Sequence, residues 1–232
     1  MTTTNEVKKT TTEELTLNQR LYEFIQKNRK VLLISLIALI AVLAAIVIIV
    51  TVRERMQANA ILKVDGFSRR YNELKNQISG GDIIEQAEVA ILLVELADFQ
   101  RRSSGFASAR AYSISADIFS EQRRWSEAEG AWANAARAAR RTYLAPIALF
   151  NAAVAAEEQG NIQAAIDYYS RAIGFGNIFH SAARAQFAIG RLEEDRNNRE
   201  AALGAYRNLL ASWPHDQVWV NLAQSRIIML GE

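Results

Sequence analysis

Apolar positions follow three different rules along this chain. From Val31 to Val52, 22 residues pass without a charge, and only Ser35 and Thr51 interrupt Ile, Leu, Val and Ala. At 1.5 Å per residue the run reaches about 33 Å, enough to cross a hydrocarbon core of about 30 Å. A buried core helix would carry a polar stripe where it meets water, and none is present. A cleaved signal peptide would have a shorter apolar stretch followed by a small-x-small cleavage site. The run is therefore predicted to be an uncleaved transmembrane helix.

On either side of it the spacing is amphipathic. Met56, Ala60, Val64, Phe67, Tyr71, Leu74 and Ile78 recur near every 3.5 residues, which predicts a helix with one apolar seam, ended by Gly80 and Gly81. The seam could join two copies, but three heptads containing Gly66 make a weak coiled coil, and packing on the next helix is the favoured use. That next helix is predicted from Asp82, with Glu85 completing a capping signal, through Ile91, Val94 and Phe99; Arg101 to Gly105 form its loop. Before the span, Thr16 and Gln19 make a capping box, and Leu17, Leu21, Phe24 and Ile25 follow at helical spacing. Residues 1–14, with six threonines among mixed charges and no apolar period, read as a disordered terminus.

The third rule is a repeat. Ala128, Ala165 and Ala202 lie 37 residues apart; four residues after each comes an aromatic, Trp132, Tyr169 or Tyr206, and seven after each comes Ala135, Ala172 or Leu209. Twelve before each stands Ala116, Ala153 or Gly190, with turn segments between at Gln122 to Arg124, Gly160-Asn161 and Asn197-Asn198. Small residues at one position on each helix let two antiparallel helices approach closely, and the aromatic fills the space beyond them. A lone helical pair leaves an apolar face in water, so such units must stack. Residues 217–232, with Val218, Leu222, Ile227 and Leu230, are predicted to form a helix capping the stack.

Composition narrows the chemistry. There is no cysteine, which removes disulfides, thiolate metal sites and cysteine nucleophiles together, and His180 and His215 are the only histidines. Residues 1–30 carry six basic and four acidic groups, while residues 53–232 carry 21 of each. That neutral balance argues against nucleic-acid binding, which needs a surplus of cations. No glycine-rich phosphate loop, HExxH pair, GxSxG elbow or EF-hand loop occurs. The acidic runs Glu157-Glu158 and Glu193-Glu194-Asp195 read as solvated helical faces, because adjacent positions on a helix diverge. No enzyme, cofactor, metal or small-molecule substrate is expected.

The repeated positions resemble the tetratricopeptide repeat over residues 109 to 214. The marks are a small residue in the first helix, Ala and an aromatic in the second, and the terminal Pro214, although the period of 37 exceeds the usual repeat of about 34. With the span and the seam read above, the chain is expected to be all-α: a cytoplasmic tail (1–30), a transmembrane helix (31–52), a membrane-proximal helical pair (53–107), three repeats (108–216) and the cap. The resemblance implies a concave groove lined by first helices, presenting Arg110, Ser113 and Asp117, then Ile147, Phe150, Val154 and Glu157, then Arg184, Phe187, Arg191 and Glu194. Phe150 and Phe187 would anchor an extended peptide or a helix, with the arginines pairing with its carboxylates. The alternative is that both phenylalanines are buried between helices.

Lys and Arg flank both ends of the span, so the positive-inside rule does not fix its orientation. A short tail, one span and a long folded domain favour export of the repeats from a cytoplasmic N-terminus, against the inverse with cytoplasmic repeats. This layout resembles the ancillary SecYEG translocon subunit family (YfgM-like proteins). It implies a bacterial inner-membrane protein with periplasmic repeats that binds translocon components and exported or unfolded polypeptides. The alternative is a scaffold or adaptor of an envelope complex for secretion, division or motility.

Overall fold

The computed structural model describes residues 3–77 and 83–231. Among them the regular structure is helical, in the order α1 (Thr3–Gln77), α2 (Ile83–Arg102), α3 (Gly105–Glu121), α4 (Trp125–Ala138), α5 (Leu144–Glu158), α6 (Ile162–Ile173), α7 (Ala182–Asp195), α8 (Arg199–Ser212) and α9 (Gln217–Met229). The chain divides into two units, Met1–Gln57 and Ala58–Glu232.

In the first unit, α1 begins at Thr3, so residues expected to be disordered are helical and the capping box at Thr16 starts nothing. Neither glycine nor proline occurs before Gly66, and a helix once nucleated gains a hydrogen bond for each residue added. The apolar side chains of Val31 to Val52 are exposed, and one stretch of this helix is long and apolar enough to cross a membrane.

The second unit starts with an apolar cluster of Val64, Phe67, Tyr71 and Leu74 from α1, Val89, Leu92, Leu96 and Phe99 from α2, and Ala107, Ala111, Ile114 and Ile118 from α3. Phe67 meets Phe99 edge-on, with centroids 5.6 Å apart. The seam of α1 thus packs on its neighbours, while Met56 at its start is exposed. Ile78, Gly80, Gly81 and the Asp82 cap lie outside the described residues. On α2 the face differs from the positions read from the sequence: Ile91 and Val94 are exposed, and Val89, Leu92 and Leu96 are buried beside Phe99. The run from Val89 to Val94 is apolar on every side, so its periodicity does not choose a face.

From α3 onward the helices pair as α3/α4, α5/α6 and α7/α8. Ala128, Ala165 and Ala202 are wholly buried, as are Ala135, Ala172 and Leu209 and the first-helix residues Ala116 and Ala153. The period is visible in the backbone too. Arg123, Gly160 and Asn197, again 37 residues apart, all adopt left-handed conformations, with φ of 55°, 74° and 59°. Each ends a first helix; the next residue but one starts a second helix, and Asn161 and Asn198 cap α6 and α8 by accepting from the N–H groups of Ala164 and Ala201. The residues beyond a usual repeat length fall between units, at 139–143 and at 174–181, where Gly176–Ile178 forms a 3-10 turn. Helix α9 buries Val220 and Ala223 against α8, with Trp219, Ile227 and Leu230 partly buried beside them. Val218 and Leu222, read from sequence as part of its apolar face, are exposed instead.

Candidate protein-binding groove

The expected groove residues separate into two groups. Phe150, Val154 and Glu157 of α5 and Arg184, Phe187 and Arg191 of α7 line one cleft of about 320 Å³, together with Tyr169 of α6 and Trp219 of α9. Arg110, Ser113, Asp117, Ile147 and Glu194 do not line it. Arg110 is ion-paired with Asp65 of α1, and the Ser113 hydroxyl donates to the Ala109 carbonyl one turn back in its own helix. Ile147 stands exposed on the first turn of α5.

Within the cleft, the aromatic rings serve both the core and the surface. Phe150 is 9% exposed, sits edge-on to Tyr169 at 5.1 Å, and lies 6.1 Å from Phe179. Its remaining face is covered by the Arg184 guanidinium, 4.9 Å from the ring centroid. Phe187 is half-buried between Tyr206 at 5.3 Å and Trp219 at 5.4 Å. Phe150 therefore belongs largely to the core, and Phe187 is already engaged by the chain's own last helix. Trp219 was not read from the sequence as a site residue; it lies on a helix whose apolar pattern suggested only a cap.

The acidic groups are placed differently from the solvated faces read from the sequence. Glu157 accepts a hydrogen bond from the Tyr169 hydroxyl at 2.5 Å and is ion-paired with Arg191 of the next unit. One repeat on, Glu194 accepts from the Tyr206 hydroxyl at 2.6 Å and from Arg226 Nε of α9 at 3.0 Å. Each Glu–Tyr–Arg clamp joins the two helices of a unit to the following first-layer helix. The carboxylates stand near helix C-termini, where the helix dipole disfavours a negative charge, and the arginines offset it. Burial and then the neighbouring glutamate push both tyrosine hydroxyls above their ordinary range, whereas the bonds from Arg226 hold Glu194 below the usual carboxylate range. At the equivalent places in the first unit stand Ser120 and Trp132, which cannot build a clamp. Glu157, Arg191 and Glu194 are thus each ion-paired with a side chain of another helix. The signal in the sequence was the 12-residue spacing from Glu to Tyr, repeated twice.

Asp117 lies on α3 beside Glu121, which is ion-paired with Lys75 of α1. Surrounding protein and then the Glu121 charge push its carboxyl up to about 6, against an ordinary 3.8, with Lys75 opposing. A raised acid favours folding below its ordinary value and opposes it increasingly as pH climbs through the folded one. Asp117 is nonetheless exposed to solvent, which screens much of this, so Asp117→Asn is expected to raise the melting temperature by about a degree near neutral pH, with the gain shrinking as pH falls from about 6 toward 4. A thermal melt series across that range checks it, and a pH-independent difference would contradict it. Among the described residues no three or more His, Cys, Asp and Glu side chains are placed so that they could hold a metal ion.

Stacked helical pairs with a small-residue contact, a buried aromatic and a groove along the first helices define a helical-repeat protein of the kind that binds other proteins. The tetratricopeptide repeat family matches residues 115–177. A protein of Treponema pallidum (strain Nichols) described as a TPR repeat-containing protein is 32% identical over 224 residues, covering 91% of this chain and 93% of its own length. The chain belongs to the tetratricopeptide repeat-containing proteins, a family whose repeats make protein–protein interaction modules.

Proposed function

We propose that this protein is held in a membrane by Val31 to Val52 and uses the α5/α7 groove to bind segments of other polypeptides without turnover. The observation that carries the reading is Arg184. It is exposed at the edge of an aromatic cleft, with the Phe150 ring as its partner instead of a carboxylate, in a chain whose other groove arginines are ion-paired. Ile147, exposed on α5 outside the lining of that cleft, is assigned to the same binding surface as a further apolar contact. A segment with an apolar residue followed by a carboxylate suits these two groups.

In this reading residues 1–30 are cytoplasmic, residues 53–107 form a membrane-proximal pair, residues 108–216 the repeats and residues 217–232 their cap. The partners are translocon components and exported polypeptides, in a bacterial inner membrane with the repeats in the periplasm. The layout supports this through its likeness to the ancillary SecYEG translocon subunits. A scaffold for one folded partner in an envelope complex is the second reading, favoured by the Trp219–Phe187 contact that already fills part of the cleft.

A photo-crosslinking amino acid at Ile147 or Arg184 in living cells tests both. Many unrelated exported chains together with translocon components are expected; one stoichiometric partner would favour the scaffold, and no protein adduct at either position would remove the groove from the account. Protease digestion of the repeats in intact spheroplasts is expected as well, and digestion only after lysis would reverse the topology.

A further inference from the structure

A second cleft, of about 600 Å³, lies between the second-layer helices α4 and α6, away from the groove residues named above. Arg137, Arg140 and Arg171 line it, over a floor of Leu149, Tyr168 and Phe175. No aspartate or glutamate is among its lining residues. Arg171 has Asp167 at 3.4 Å and lies over the Tyr168 ring at 5.4 Å; the Tyr168 hydroxyl donates to Glu129 at 3.1 Å. Among the described residues Arg137 donates to the Asn134 side chain, at 2.9 Å, and no carboxylate is found paired with Arg140. Elsewhere in this unit Arg70, Arg110, Arg124, Arg191 and Arg226 are each ion-paired.

The repeat supplies an internal control. One period on, the positions of Arg137, Arg140 and Arg171 are held by Gly174, Asn177 and Asn208, and α8 ends without a basic residue in its last turn. Stacking therefore does not require cations at these places. The first inter-unit junction has concentrated three guanidiniums around an apolar floor, in a domain whose charges otherwise balance.

We propose that the cleft between α4 and α6 binds an acidic peptide segment, its carboxylates received by Arg137, Arg140 and Arg171 and an apolar side chain by Leu149 and Phe175. Guanidinium forks match carboxylates in bidentate geometry, and three of them around one cleft favour clustered acids over a single one. The short reach of the patch, within a neutral domain, suits a peptide better than the long phosphate track of a nucleic acid. This site is separate from the α5/α7 groove, so a partner could occupy both or either.

Full-length protein in nanodiscs of zwitterionic lipid is titrated by fluorescence anisotropy with a short labelled peptide of glutamates around a central leucine, and with its glutamine analogue. The glutamate peptide is expected to bind about tenfold more tightly, to weaken with added salt, and to lose about tenfold in Arg137→Gln/Arg140→Gln, with the circular dichroism spectrum unchanged. Arg102→Gln, on α2 outside both clefts, leaves that affinity as it was. No binding, equal binding of the two peptides, or unchanged affinity in the double variant overturns the proposal. So does tighter binding of a single-stranded oligonucleotide, or loss of peptide binding in Arg184→Gln, which would move the acid to the α5/α7 groove.

Discussion

Gly190→Ala is expected to cost about 2–3 kcal/mol of stability, far more than one methyl group on a helix surface. A Cβ built on Gly190 would stand 2.4 Å from Tyr206 Cε1 and 2.7 Å from its Cζ. Ordinary carbon contacts fall at about 3.5–4.0 Å, so the ring would have to retreat by more than an ångström. It has nowhere to go: Tyr206 is wholly buried, and its hydroxyl is fixed on Glu194. The intrinsic helix propensity works in the other direction, since alanine exceeds glycine by about 1 kcal/mol in a helix interior, so any net loss understates the clash. Thermal or urea unfolding measures the effect. Combining Gly190→Ala with Tyr206→Leu should recover part of the loss, because the smaller side chain vacates the contact. Equal or higher stability in Gly190→Ala would show that the two helices can move apart freely.

Removing the carboxylate beneath that ring has a comparable effect by a different route. Glu194→Ala leaves the Tyr206 hydroxyl buried without its acceptor and frees Arg226 of α9 from its tie to α7, at an expected cost of about 2–3 kcal/mol. Because Glu194 is held below its ordinary 4.5, its contribution is fully present above that value and is lost as pH falls through the lower folded one. The wild-type advantage over Glu194→Gln should accordingly narrow in acid. A double-mutant cycle with Arg226→Ala separates the ion pair from the tyrosine bond, since only the latter persists when the arginine is gone. In a repeat stack stability is the sum of units and their interfaces. Hydrogen exchange should therefore rise first in α9 and α8, while α3 to α5 keep their protection. Uniform loss along the stack, or none, would contradict the clamp.

These clamps also bear on binding. Glu157 and Arg191 line the α5/α7 cleft yet are ion-paired with each other, so they fix its width more than they recognise an occupant. Arg184 carries the proposed recognition, and Trp219 also lines the cleft. A partner that displaced Trp219 would have to detach α9 from Phe187 as well.

Much of this arrangement was legible in the sequence because it depends on local spacing. An apolar run of 22 residues needs no tertiary information to define a candidate span, since the backbone rise per residue fixes its reach. The 37-residue period likewise located the small contacts, the buried aromatics and the turns. It also set the glycine at position 190 apart from the alanines at 116 and 153, although the reason for that glycine is the ring of Tyr206, contributed by another helix.

What spacing left open were choices that depend on a neighbour. On α2 the side chains are apolar all round, and only the arrival of α1 and α3 made Leu92 and Leu96 core and left Ile91 and Val94 in the open. Glu157 and Glu194 look in the sequence like any acid on a solvated helix; the arginines that claim them stand 34 and 32 residues away, and stacking alone brings them within reach. Three arginines of α4, its following turn and α6 became one cleft in the same way. The sequence by itself determined the helices, the repeat and the candidate anchor, because hydrophobic periodicity acts within a few turns of one chain segment. Tertiary structure decided which charges are spent inside the stack and which remain outside, because an ion pair depends on distance in space, and the stack sets that distance.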